Sequence, residues 1–236
     1  MRTPSAPNPE KMQAARNSLV ECLDVVESAI ATLKSISQIV HPVSTIETQS
    51  FKAQFASNTL MVALSLHRLE GATRRLLKRS ALDVEAFNQA LRSSIPIQIT
   101  GRLANTWKHG LGGQNANATV LNGVARVDRA DGYKDEQGRE RALVVGMLVA
   151  DAKYGTFVSM SVFQGAIEQW AAILAPLNVD STSWHERLLP KPKGPVVHVH
   201  RNASTVVPPG STVLVELPTE LMASLQEDAK NRSNAA

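Results

Sequence analysis

The sequence predicts an α+β protein: a hairpin or bundle of long antiparallel helices, a small antiparallel β-sheet and a β-rich C-terminal appendage. Three observations predict it. Apolar residues recur at helical spacing from Leu19 to Leu76. Residues 119–162 then change to runs rich in β-branched side chains. Aromatics are 4% of the chain against 43% hydrophobic overall, so Leu, Ile, Val and Ala must build most of the core, which suits helix packing.

Residues 1–9 carry Pro4, Pro7 and Pro9 and are expected to be disordered. A helix from about Glu10 to Val40 follows. Leu19, Leu23, Val26, Ile30, Leu33 and Val40 form a heptad-like seam, with Ser37 in its missing place. Cys22, Val25, Ala29 and Ile36 widen the stripe toward that of a globular bundle. Pro42 is expected to end this helix. A second helix should run from Ser44 or Thr45 to Arg79, with Ser44 and Glu47 as a capping box. Phe51, Phe55, Val62, Leu66, Leu69 and Leu76 continue the seam. Two such helices joined by a short turn form an antiparallel hairpin.

A shorter helix is expected from Asp83 to about Arg92, interrupted by Pro96. A fourth should start at Thr100 as N-cap and stop at Gly110. Gly112, Gly113, Asn115 and Asn117 mark a loop. Thr119–Val127 and Ala142–Ala150 read as two antiparallel strands joined by a long polar loop, and Thr156–Val162 as a third strand. A helix from Phe163 to Leu174 closes at Pro176. The domain reading is therefore a helical bundle with inserted strands over 10–176, a linker over 177–194, and a small β/α segment over 195–236. The linker is expected from Pro190, Pro192 and Pro195. The last segment should hold strands at Val196–Val199 and Thr212–Leu217, divided by Pro208-Pro209-Gly210, and a helix from Thr219 to Lys230. No internal repeat is visible.

The net charge is +4, too mild to imply nucleic acid by itself. Arg74, Arg75, Lys78 and Arg79 form a basic cluster in the last turns of the second helix. There they complement the helix dipole or make an RNA-binding patch. The single cysteine, Cys22, excludes an internal disulfide and reads as a buried, inert thiol. With no apolar leader and no long apolar run, the expected location is the cytoplasm, without membrane contact.

The fourth helix carries the chemistry. Taking Arg102 as zero at about 100° per residue, Asn105 falls near ~300° and His109 near ~340°. A guanidinium, an amide and an imidazole thus share one face, while Leu103 and Trp107 are expected in the core. Histidine exchanges protons near neutral pH. Arginine binds phosphate and stabilises developing charge. Asparagine can orient the imidazole, and Lys108 adds positive charge. Such a set suits attack by an RNA 2′-hydroxyl on its own phosphodiester, with no metal or cofactor.

Arg102, six residues and His109, on a helix late in a helical bundle, resembles the signature of the HEPN superfamily. The Asn105-Thr106-Trp107-Lys108-His109 run is similar to an Asn-Xaa-Xaa-Lys-His stretch of bacterial helical proteins. The resemblance covers about residues 10–175. Leu103 departs from the polar residue that commonly follows the arginine. The resemblance implies a metal-independent endoribonuclease of a defence or toxin type, with Arg102, His109 and Asn105 catalytic and dimerisation joining two motifs. Other members of that superfamily are inactive and act as binding or scaffold modules. Lys108, Arg74, Arg75, Lys78 and Arg79 are the expected nucleic-acid contacts.

Two rival readings remain open: a helical module for a protein partner, and a nucleic-acid binder without catalysis. In both, Lys108 and His109 simply finish a helix, and Arg102 pairs with a carboxylate. His198 and His200 point to one side of a probable strand, too few for a metal site. His67 is expected on the flank of the seam, half-buried or solvated. His41 is expected as a cap or surface residue. The glycines after His109 follow a helix rather than open one, which excludes a phosphate-cradling loop.

Overall fold

Helix α1 (Pro9–Lys34) begins where the Asn8 side chain accepts a hydrogen bond from the Lys11 amide, with Pro9 at the first helical position, where no backbone N–H is needed. The computed structural model describes residues 8–37, 39–109, 117–127, 133–179, 181–188, 196–199 and 212–215. The expectation for residues 1–7 lies outside them. Leu19, Leu23, Val26, Ile30 and Leu33 are all buried, as the seam requires. The helix ends earlier than expected. Ser37 is buried with its hydroxyl donating to the Leu33 carbonyl. Val40 belongs instead to strand β1 (Val40–Pro42).

The expected capping box at Ser44 and Glu47 is also corrected. Val43–Ile46 form a single turn, α2. Helix α3 (Gln49–Arg79) starts after Thr48, whose hydroxyl accepts from the Phe51 amide at 3.2 Å. Helices α1 and α3 pack along the predicted seam, with Phe55, Val62, Leu66 and Leu69 fully buried. Helix α4 (Val84–Ser93) is capped by Asp83, which accepts from the Glu85 and Ala86 amides.

Helix α5 (Ile95–His109) is longer than expected. Pro96 does not interrupt it but sits in its first turn, where proline is tolerated. Thr100 is no cap. It lies buried in mid-helix and donates to the Pro96 carbonyl at 2.7 Å.

Strand β2 (Ala118–Val127) pairs antiparallel with β4 (Glu140–Asp151), as the β-branched runs predict. The connecting segment carries a two-residue strand, β3 (Tyr133–Lys134), paired to the start of β4. Residues 128–132 lie outside the described set. Strand β4 is central, since β1 pairs against Arg141–Leu143 and β5 (Gly155–Val158) pairs against Leu148–Asp151. The expected third strand is cut short, because α6 (Ser159–Leu174) takes over at Ser159. The Ser159 hydroxyl accepts from the Met147 amide of β4, which pins helix to sheet.

After a 3-10 turn at Ala175–Leu177, helix α7 (Ser181–Leu188) occupies the expected linker. Trp184 is 1% exposed and donates from its indole to the Leu23 carbonyl of α1 at 3.2 Å. A residue that buries this much apolar surface belongs to the core, not to a spacer. Pro190, Pro192 and Pro195 lie outside the described residues, as does the expected 219–230 helix. Strands β6 (Val196–Val199) and β7 (Thr212–Val215) pair in parallel, not as the antiparallel arms of a hairpin. No helix among the described residues is long and apolar enough to cross a membrane.

Candidate functional site

A groove of about 970 Å³ runs between α3, α4 and α5 and reaches the β4–β5 turn. Arg102 and Asn105 line it from α5, His67, Glu70 and Arg74 from α3, and Lys153 and Tyr154 from the turn. The α5 side is shaped by what the helix must bury. Leu103 and Ala104 go into the core, so Arg102 and Asn105 are left facing the opening.

Arg102 is tied down at this edge. Its Nη1 donates to both carboxylate oxygens of Asp151 at 2.8 Å, and its Nη2 donates to Gln98 Oε1 at 3.1 Å. The guanidinium carbon lies 5.0 Å from the centre of the Tyr154 ring, a cation–π contact. Asp151 has no exposed side-chain surface. It also accepts from the Lys153 and Tyr154 amides at 2.9 and 3.0 Å, which closes the β4–β5 turn. The Tyr154 hydroxyl donates to Gln98 Oε1 at 3.1 Å. The set is therefore a closed network joining helix α5 to the sheet. A counter-charge at 2.8 Å cancels most of the field that Arg102 could offer a phosphate.

The expected catalytic pair sits on one helix, as periodicity requires, with different surroundings. His109 is the last residue of α5, exposed and outside the groove lining, whereas Arg102 faces the groove. Seven residues of helix put their backbones about 10 Å apart along the axis. Asn105 stays with Arg102 in the groove, half-buried. Trp107 corrects the core assignment: it is 56% exposed at the end of α5, beside exposed Lys108 and His109.

Within the basic cluster, Arg74 is half-buried and engaged, while the other members are exposed. Arg74 turns toward α4, where it pairs with Glu70 at 2.8 Å and lies 5.7 Å from the Phe87 ring centre. Arg75, Lys78 and Arg79 are exposed, and Arg75 is near enough to Cys22 of α1 for its charge to act on the thiol. Burial pushes the Cys22 thiol up, and Arg75 and Arg68 partly oppose this, in keeping with an inert thiol.

His67 enters the groove unannounced by its sequence neighbourhood. Its ring packs over Gly101, with Nδ1 3.5 Å from where a Cβ would stand. Burial pushes the imidazole below the ordinary histidine range, Lys108 pushes it further, and Glu70, 3.8 Å away, opposes both. Asp151 had a legible signal, an Asp at the end of an apolar run just before a turn. Its pairing with Arg102 had none.

His41 hydrogen-bonds from Nε2 to the Ile36 carbonyl at 2.9 Å and stacks edge-on to Phe51, as a cap should. His198 lies in β6, and His200 lies outside the described residues. No cluster of three or more metal-ligating side chains occurs among the described residues. Comparison of the chain with protein-family models, with curated proteins and with solved structures finds no match.

Proposed function

We propose that this chain is an RNA-binding helical module that holds its ligand without cutting it. One observation carries the reading: Arg102 is spent on Asp151, while the end of α5 presents Trp107, Lys108 and His109 to solvent. An exposed indole beside a lysine and a histidine suits single-stranded RNA, which binds by base stacking and by neutralised phosphates. The resemblance to HEPN proteins accommodates this, since inactive members act as binding modules.

The endoribonuclease reading is the second. It is favoured by His109 being exposed on the same helix that carries Arg102. It requires Arg102 to leave Asp151.

Tryptophan fluorescence tests the first reading directly. Trp107 is exposed, whereas Trp170 and Trp184 are each 1% exposed, so quenching by added RNA reports on Trp107. RNA should quench the emission, and the quenching should weaken with salt. Stacking on an aromatic is worth about 1–3 kcal/mol per base, so Trp107→Ala should weaken binding about 5- to 150-fold. RNA binding that survives Trp107→Ala and Lys108→Ala unchanged sinks the proposal.

A further inference from the structure

We propose that the groove between α3, α4 and α5 is a site for a single nucleotide unit, with its phosphate at Lys153 and its base edge against Asn105 and His67. This rests on the RNA-binding reading and names the part of the ligand that this site takes.

Size and charge select the ligand class. The volume of about 970 Å³ lies at the upper end of the range for small-molecule sites, too little for a folded polymer. The lining carries Arg74, Arg92, Arg102 and Lys153 against Glu70 and Glu85. Asp151, directly behind Arg102, cancels a further positive charge. What remains matches one phosphate group and not a polyphosphate.

The positions of the free groups select the pose. Arg74 is paired with Glu70 at 2.8 Å, Arg92 with Glu85 at 3.3 Å and Arg102 with Asp151 at 2.8 Å. Among the described residues, Lys153 is the lining cation that has no carboxylate partner. Its ammonium stands 4.8 Å from the Tyr154 ring centre, at the exposed lip. A phosphate there gains a full positive charge without breaking an ion pair.

From the lip inward, Tyr154 touches Arg102, Asn105 follows Arg102 by one turn of α5, and His67 packs on Gly101 beside it. The Asn105 amide offers a donor and an acceptor side by side and is half-buried, the pairing that reads an adenine edge. His67, kept neutral by burial, offers one further ring nitrogen as donor or acceptor. The His67 ring stands over Gly101, at ordinary contact distance from where a Cβ would be.

Isothermal titration of the full chain with the four nucleoside 5′-monophosphates tests the site, with inorganic phosphate and free nucleosides alongside. Adenosine monophosphate should bind best, and phosphate or nucleoside alone at least about tenfold more weakly. Lys153→Ala should weaken all four about tenfold, because Lys153 is exposed and meets only the shared phosphate. Asn105→Leu should level the four bases. Melting temperatures of both variants must match the wild type, so that lost binding is not lost folding. Competition by a short RNA assigns the unit to an RNA end, and its absence assigns it to the free nucleotide. Failure of every monophosphate to bind, or binding indifferent to both substitutions, overturns the proposal. Should RNA still quench Trp107 in that case, the RNA-binding reading survives alone.

Discussion

Replacing Asp151 with alanine removes one acceptor from three donors: Arg102 Nη1 at 2.8 Å and the amides of Lys153 and Tyr154 at 2.9 and 3.0 Å. Breaking a buried pair by deleting one member costs about 3–5 kcal/mol, because the other charge is left uncompensated. Arg102 is 17% exposed at its side chain and keeps its bond to Gln98, which places this case near ~3 kcal/mol. The two turn amides add about 1 kcal/mol, since the turn is open enough for water to replace much of what is lost. The sum lowers the melting temperature by about 10 °C in a chain of this size. Asp151→Asn keeps an acceptor for the turn and loses only the charge, so it should cost less, about 2–3 kcal/mol. Thermal melts by far-UV circular dichroism, run as a double-mutant cycle with Arg102→Met, isolate the pair. A coupling near zero would mean that Asp151 does not hold Arg102. The guanidinium would then be free for phosphate, and the argument against catalysis would fail.

Three further outcomes follow from the packing. His67 is held below its ordinary range, so the unfolded chain binds the proton more tightly. Stability is therefore full above about pH 6.5 and falls as pH drops through the unfolded value and on to the folded one, and His67→Gln should flatten that slope in urea titrations across pH. Thr48→Ala should cost about 1 kcal/mol of chemical stability as the cap of α3, whereas Ser44→Ala should be silent; equal losses would restore the capping box at Ser44. Trp184→Ala should destabilise the whole protein by about 3–5 kcal/mol in the same assay, and a silent substitution would return 177–194 to the status of a linker.

The helical hairpin was legible because Leu19, Leu23, Val26, Ile30 and Leu33 obey a period that only one helix face can satisfy. Its ends were not, for reasons that lie outside local sequence. Val40 continues the apolar period, but β4 claims it through Leu143, a partner about a hundred residues away. Ser44 and Thr48 offer similar hydroxyls, and only the extra turn of α2 decides between them. Pro96 looks like a breaker, although the first turn of a helix accepts proline. At the site, Arg102 and Asn105 were placed on one face by periodicity alone, and they do share the groove. Periodicity could not show that Asp151, which is distant in sequence, absorbs the guanidinium, nor that Trp107 overhangs the end of the core. His67 was read as a flank residue because its neighbours on α3 carry no hint of α5 above it.

The central claim is that this chain holds RNA with its α5 end and leaves the strand intact. Incubating purified protein with mixed RNA in chelator, wild type beside His109→Ala, puts it to the shortest test. The account predicts full-length RNA with both proteins while the wild type still retains it on a filter. Fragments made by the wild type and missing with His109→Ala would contradict it and make the histidine a catalyst.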